Sequence, residues 1–261
     1  MNERSLTGSA LALGLAPLKA WQGRFRYDLL VKRSGLPIYR LAPGEKVAME
    51  LAYVDLFQRL CAHHAWLQFP IFPVGGAASH AFLAILVRAL VECGFSRVLE
   101  FGAGQTTRIL SAWSRVSGAP ICTVENDEGW VKECQRGVTS PHHQIVHAPL
   151  RQAASGHVWY DFEMIRPHCT SQKADLIIVD GPVGAERWSR AGFIERFSEL
   201  HADEWVVLWD DLHRQGDLQS FAEFIRRLRS NQIPHDVACC QAFRTLGLVF
   251  SPKYSRVKHY C

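Results

Sequence analysis

Four short apolar runs in this chain end at, or carry, acidic residues. Glu100 lies within Val98-Leu-Glu-Phe101, and Glu125 follows Ile121-Cys-Thr-Val124. Asp180 closes Leu176-Ile-Ile-Val179, and Asp210-Asp211 close Val206-Val-Leu-Trp209. Carboxylates gathered on one rim can do three things. They can accept hydrogen bonds from ribose hydroxyls, take a proton as general bases, or hold a hard cation through oxygen. The turn Gly102-Ala103-Gly104, with Gln105-Thr106-Thr107 behind it, adds a fourth capacity. Glycines after a strand allow close backbone approach to a ligand, although the same turn also serves a plain strand-to-helix connection. Glu125 stands where a nucleotide site places a ribose acceptor, and a helix-start acid favoured by the dipole is the alternative.

The elements that position these residues alternate in type. Pro43 to Trp66 carries Val47, Leu51, Val54, Phe57 and Leu60 at helical spacing. Ser79 caps a predicted helix that ends at Gly94. Strands are predicted at Arg97–Phe101, Pro120–Val124, Gln144–His147, Asp175–Val179 and Trp205–Trp209, with Val237 and Leu246–Phe250 as a closing antiparallel pair. Helices are predicted after the glycine turn, after Asp127, over Glu186–Leu200 and over Leu218–Leu228. The expected class is therefore α/β: a doubly wound, mostly parallel seven-stranded sheet with an antiparallel last strand and an N-terminal helical extension. The expected division is residues 1–74 for the extension or cap and 75–261 for the sheet domain. Ligands of such sheets bind outside the carboxyl ends of the strands, where all four acidic positions fall.

Val98-Leu-Glu-Phe-Gly-Ala-Gly-Gln-Thr-Thr107 resembles the first motif of class I S-adenosylmethionine-dependent methyltransferases. Thr123-Val-Glu-Asn-Asp-Glu-Gly-Trp130 resembles their second-strand acid and the turn after it. Asp175–Pro182 and Val206–Arg214 resemble their fourth and fifth strands. Trp159-Tyr160-Asp161 is similar to a sequence found in a subgroup that includes sugar O-methyltransferases. The likeness runs from about residue 75 to 250. It implies S-adenosylmethionine held by Glu100, Gly102, Ala103, Gly104 and Thr106 at the methionine end. Glu125 would hold the ribose, Asn126, His147 and Ala148 would lie toward the adenine, and Asp180 would face the sulfonium.

The implied reaction is methyl transfer to a hydroxyl of a small molecule or glycan. The cofactor carries the electrophile, so the protein must align the acceptor and remove its proton. Asp180, Asp211 and His213 are the candidate bases. Catechol O-methyltransferase relatives hold magnesium with acids in the places of Asp180, Asp210 and Asp211, which makes Mg2+ a second candidate cofactor. Arg187 and Arg190 follow on the same rim and suit an acidic acceptor through bidentate bonds. Two other readings stand beside this one. An NAD(P)-dependent oxidoreductase would need a third glycine, where Thr107 stands. A methyltransferase-like binding protein would keep the fold without turnover.

Composition narrows the class. Apolar residues are 48% and charged residues 21%, an ordinary globular balance. A net charge of +4 without a dense Lys/Arg cluster gives no reason to expect nucleic acid. The basic stretch Lys253–His259 reads as a solvated tail. The eight cysteines include no Cys-x-x-Cys, and the expectation is reduced thiols in a cytoplasmic protein. Trp21, Phe25 and Tyr27, interleaved with Lys19, Arg24 and Arg26, suit either a peripheral membrane contact or packing on the main domain.

Overall fold

The computed structural model describes residues 23–72, 76–153, 155–170, 172–185 and 187–261. Chain contacts separate two units, Met1–Leu36 and Pro37–Cys261. In the first, helix α1 covers 23–34. Its last turn is tied by the Ser34 hydroxyl, which donates to the Val31 carbonyl at 2.8 Å. Phe25 and Leu29 are exposed on it. Lys19 and Trp21 lie outside the described residues.

The second unit opens with α2 (Pro43–His63). Glu45 in its first turn accepts from the Ala42 N–H at 2.6 Å, which satisfies a donor that the helix start leaves open. Tyr53 and Phe57 of α2 share one core with α3 (His80–Glu92), so residues 43–63 belong to the sheet unit. Helix α3 is buried almost all round, as its run of Phe82, Leu83, Ile85, Leu86, Val87 and Leu90 requires. The Ser79 hydroxyl caps it by accepting from the Phe82 N–H.

Seven strands form the main sheet: β1 (Val98–Phe101), β2 (Ile121–Glu125), β3 (His143–His147), β6 (Ala174–Val179), β7 (His201–Trp209), β8 (Asp236–Gln241) and β9 (Thr245–Phe250). Their order is β3-β2-β1-β6-β7-β9-β8. The first five are parallel, and β9 runs antiparallel between β7 and β8. The helices between them are α4 (Gln105–Ser117), α5 (Glu128–Gln135), α6 (Phe162–Cys169), α7 (Gly192–Leu200) and α8 (Gln215–Ser230). The strand order reverses at β1, with β2 on one side and β6 on the other, and a crevice opens there at the carboxyl ends. One sheet face packs its aliphatic residues on α2, α3 and α4. The other carries an aromatic cluster in which Phe193 lies against Phe101, Trp209 and Phe224. No helix among the described residues is long and apolar enough to cross a membrane.

Three local expectations need correction, and one region carried no expectation. Helix α7 begins only at Gly192, because Trp188 (φ 53°) and Arg190 (φ 60°) take left-handed backbone that a right-handed helix excludes. A two-stranded ribbon, β4 (Leu150–Gln152) with β5 (Val158–Tyr160), and helix α6 fill the region before β6. The basic stretch keeps Lys253, Arg256, Lys258 and His259 exposed but is no loose tail: Pro252–Tyr260 forms 3-10 turns that bury Tyr254, Val257 and Tyr260. The Tyr53 hydroxyl donates to the Tyr260 carbonyl at 3.1 Å, joining α2 to this segment. Finally, not all thiols are free, since Cys240 and Cys261 form a disulfide.

Candidate active site

Gly102 ends β1 with φ +94°, a conformation that favours glycine. A Cβ here would lie 2.7 Å from the Gly181 nitrogen, so the loops after β1 and β6 touch through their backbones. Beyond it, a Cβ on Gly104 would meet open space. The Ala103 N–H donates to Glu125 Oε2 at 3.0 Å. Glu125 Oε1 accepts from the Asn126 and Asp127 N–H groups at 2.6 and 2.9 Å. Three backbone donors thus fix this carboxylate at the lip between β1 and β2, and Oε2, with one donor against two on Oε1, keeps acceptor capacity for a ligand.

Glu100 is fully buried behind this loop. Its Oε2 accepts from the Thr107 hydroxyl at 2.7 Å and the Thr123 hydroxyl at 2.6 Å. Thr107 Oγ1 in turn accepts from the Gly104 N–H at 2.8 Å. His143 lies against Thr123 Oγ1 at 2.8 Å, so a buried polar chain crosses β1, β2 and β3. Burial pushes the Glu100 carboxyl up to about 7, and hydrogen bonds from the surrounding threonines, 106, 123 and 107, offset only part of that. Glu100 Oε1 has no hydrogen-bond partner among the described residues. Thr106 is buried in the first turn of α4.

The remaining predicted positions on this side come together at the end of β3. His147 Nε2 donates to the Asn126 carbonyl at 3.1 Å, and the buried Ala148 donates its N–H to the Glu125 carbonyl. Two side chains of this half were not assigned a role from sequence. Trp130 is half exposed and donates its indole N–H to the Ala103 carbonyl at 2.8 Å, forming a wall beside the glycine loop. Tyr160 stacks on Phe101, and its buried hydroxyl has no hydrogen-bond partner among the described residues. That hydroxyl fills the space a Cβ on Gly181 would need. The signal for Tyr160 was its Trp-Tyr-Asp motif, and for Trp130 its place one turn past the second-strand acid.

The second half of the site is a charged cluster at the ends of β6 and β7. Asp180 is one-fifth exposed, while Asp210 and Asp211 are buried. One oxygen from each lies within 4.8 Å of the others. Arg190 runs beneath them and is essentially inaccessible. Its Nη2 donates to the Asp180 carbonyl at 2.7 Å and to Asp211 Oδ2 at 3.1 Å, and lies 3.5 Å from Asp180 Oδ1. Its Nη1 donates to the Asp210 carbonyl at 2.9 Å and meets buried Asp217 at 3.3 Å. Its Nε donates to the Pro182 carbonyl at 3.3 Å. This guanidinium has no face left for an acidic acceptor, which corrects the role expected for Arg190. Arg187 is exposed.

Arg214 Nη1 meets Asp211 Oδ2 at 2.8 Å. Arg244, from the turn between β8 and β9, places Nη1 3.8 Å from Asp210 Oδ2 and 3.5 Å from Asp211 Oδ1. Burial drives the Asp180 carboxyl well above its ordinary range; the Asp210 charge adds to this and Arg190 opposes it. Burial, with the Asp211 charge adding, lifts Asp210 to about 6. His213 lies 3.9 Å from Asp211 Oδ1. Burial lowers His213 to about 4, so its imidazole is neutral near pH 7 and a weak proton acceptor. Lys46 of α2 contributes to that field, which places the start of α2 by this rim. Two contacts agree: the Glu50 carboxylate accepts from the Phe243 N–H at 3.3 Å and from the His80 N–H at 2.9 Å.

No family model matches the sequence, and no curated protein matches it. Solved structures do. An O-methyltransferase from Bacillus cereus, solved with SAH, has 13% sequence identity and a TM-score of 0.52, covering 80% of this chain and 99% of its own. A candidate caffeoyl-CoA O-methyltransferase from Staphylococcus aureus has 14% identity and a TM-score of 0.49, covering 77% of this chain and 98% of its own. A predicted O-methyltransferase from Agrobacterium tumefaciens has 14% identity and a TM-score of 0.42 over 67% and 95%. The Bacillus cereus likeness establishes the fold: a Rossmann-like methyltransferase sheet with its antiparallel penultimate strand.

Proposed function

We propose that this protein is an S-adenosylmethionine-dependent methyltransferase acting on a hydroxyl of a small molecule or glycan. The observation that carries the reading is the pairing of the glycine loop with Glu125, whose carboxylate is held by the Ala103 N–H at the lip of the crevice. The residues fit the cofactor. Gly104 carries no Cβ and opens onto free space, and Glu100 Oε1 and the Tyr160 hydroxyl are buried groups without a hydrogen-bond partner among the described residues. In this reading Glu125 accepts from the ribose hydroxyls, and Asn126, His147 and Ala148 border the base. Trp130 covers the side of the loop. When bound, S-adenosylmethionine supplies the electrophilic methyl group.

Asp180 takes the proton from the acceptor hydroxyl. A carboxyl at the end of β6 that is still partly exposed on the rim is placed for that task. Asp211 and His213 are the alternative bases, with Asp211 already engaged by Arg190 and Arg214. The segment from Lys46 to Glu50 borders the acceptor side, consistent with a capping role for the start of α2. Asp180, Asp210 and Asp211 have the donor chemistry for Mg2+, yet Arg190 and Arg244 already stand against the same oxygens. The residues do not fit a resident ion, and no step is routed through one. A cytoplasmic location rests on the six free cysteines and is at odds with the Cys240–Cys261 bond, which oxidising compartments sustain.

Calorimetric titration with S-adenosylhomocysteine, with NADH as control, tests the reading. Binding that Glu125→Ala weakens at least tenfold supports it, since a charge-assisted pair of hydrogen bonds is worth about 1.5–3 kcal/mol. Binding of NADH alone sinks it in favour of the oxidoreductase. Binding of S-adenosylhomocysteine without turnover of any hydroxylated acceptor points to the non-catalytic binding protein.

A further inference from the structure

We infer that Arg190 and Arg244 serve as built-in cations where a divalent metal ion would otherwise sit among Asp180, Asp210 and Asp211. The carboxylate geometry alone would suit a hard cation, since three oxygens lie within 4.8 Å of one another. A magnesium ion at roughly 2.1 Å from those oxygens would be pressed against the guanidinium groups that now face them. Arg190 cannot withdraw. It is almost wholly inaccessible and donates to the carbonyls of Asp180, Pro182 and Asp210, so moving it would strand three buried acceptors. It lies between Asp180 and Asp211 and offsets part of their charge from below.

Arg244 is held differently. It approaches from a hairpin turn, its side chain is 14% exposed, and its contacts to Asp210 Oδ2 and Asp211 Oδ1 are 3.8 and 3.5 Å, ion pairs beyond hydrogen-bond length. Those two buried oxygens have no hydrogen-bond partner among the described residues. The open coordination of this rim therefore lies on the Arg244 side. A guanidinium there can steer an acceptor oxygen toward Asp180, the task a metal performs in a metal-dependent site.

Mn2+ binding, read by electron paramagnetic resonance and calorimetry on the full chain, tests this. It does so independently of methyl transfer, so its failure is distinguishable from a failure to bind S-adenosylhomocysteine. The expected result is no Mn2+ binding by the wild type below about 1 mM, and binding at least tenfold tighter in Arg244→Gln. Adding Asp210→Asn to Arg244→Gln should abolish the new site. Arg244→Lys, which keeps the charge, should behave as the wild type. Micromolar Mn2+ binding by the wild type, lost in Asp210→Asn, would overturn the inference without any arginine variant. So would an Arg244→Gln protein that melts cooperatively and binds Mn2+ no better than the wild type.

Discussion

At the residue scale the most informative side chain is Glu100, which the fold keeps dry beneath the glycine loop. Its carboxyl titrates near 7 in the folded chain against an ordinary 4.5. The folded state thus keeps a proton that the unfolded state loses between those values. Stability from this group is complete below about pH 4.5 and falls as pH rises to about 7, then stays level. With about 1.4 kcal/mol per unit of displacement, the loss is on the order of 3 kcal/mol. Glu100→Gln keeps the shape and removes the titration. Urea midpoints at pH 5 and pH 8 should therefore differ more in the wild type than in Glu100→Gln, and the variant should gain relative stability at pH 8. Equal slopes in both proteins would show that Glu100 ionises freely and that its burial is relieved by solvent.

At the element scale, legibility followed the amount of hydrophobic pattern available. Strand β6 and the second half of β7, Trp205–Trp209, are continuous apolar runs buried on both faces, so they and their terminal acids could be read directly, whereas the polar start of β7, His201–Glu204, carries no such pattern. The glycine turn was legible because close backbone approach demands that residue type, and Glu125 because it closes the apolar run of β2. The stretch 187–191 departs from the expected helix because helical propensity says nothing of the left-handed backbone at Trp188 and Arg190, the second of which is anchored to the ends of β6 and β7. Arg244 was illegible for another reason: only the hairpin of β8 and β9 brings it to Asp210 and Asp211. That hairpin also yields a packing prediction. Gly247 in β9 faces α8, and a Cβ there would lie 2.6 Å from Phe221 Cε2 and 2.8 Å from Leu212 Cδ1. Overfilling a close-packed site costs about 1–3 kcal/mol. Gly247→Ala should lower the urea midpoint accordingly, with the slope unchanged. A midpoint equal to the wild type would mean that the aromatic layer under β9 has slack.

At the scale of the whole molecule, the carboxyl terminus acts as a clasp across elements far apart in sequence. Tyr260 lies under Arg88 of α3 at 4.1 Å, donates its hydroxyl to the Glu92 carboxylate at 2.8 Å, and accepts through its carbonyl from Tyr53 of α2. Cys261 then bonds to Cys240 in the edge strand β8, closing a loop of sequence separation 21. One segment thereby ties α2, α3 and the edge of the sheet together, and α2 is the helix whose first turns border the carboxylate rim. A cross-link over a loop of this size stabilises by about 3 kcal/mol through the entropy it removes from the unfolded chain. Reduction, or Cys261→Ser, should therefore lower Tm by several degrees while leaving S-adenosylhomocysteine affinity within about twofold, because Glu125 and the glycine loop lie at the other end of the strand order. An unchanged Tm on reduction would show that the buried Tyr254, Val257 and Tyr260 hold the clasp shut on their own. A Tm that falls together with cofactor affinity would show instead that the clasp, through α3 and β1, sets the geometry of the glycine loop.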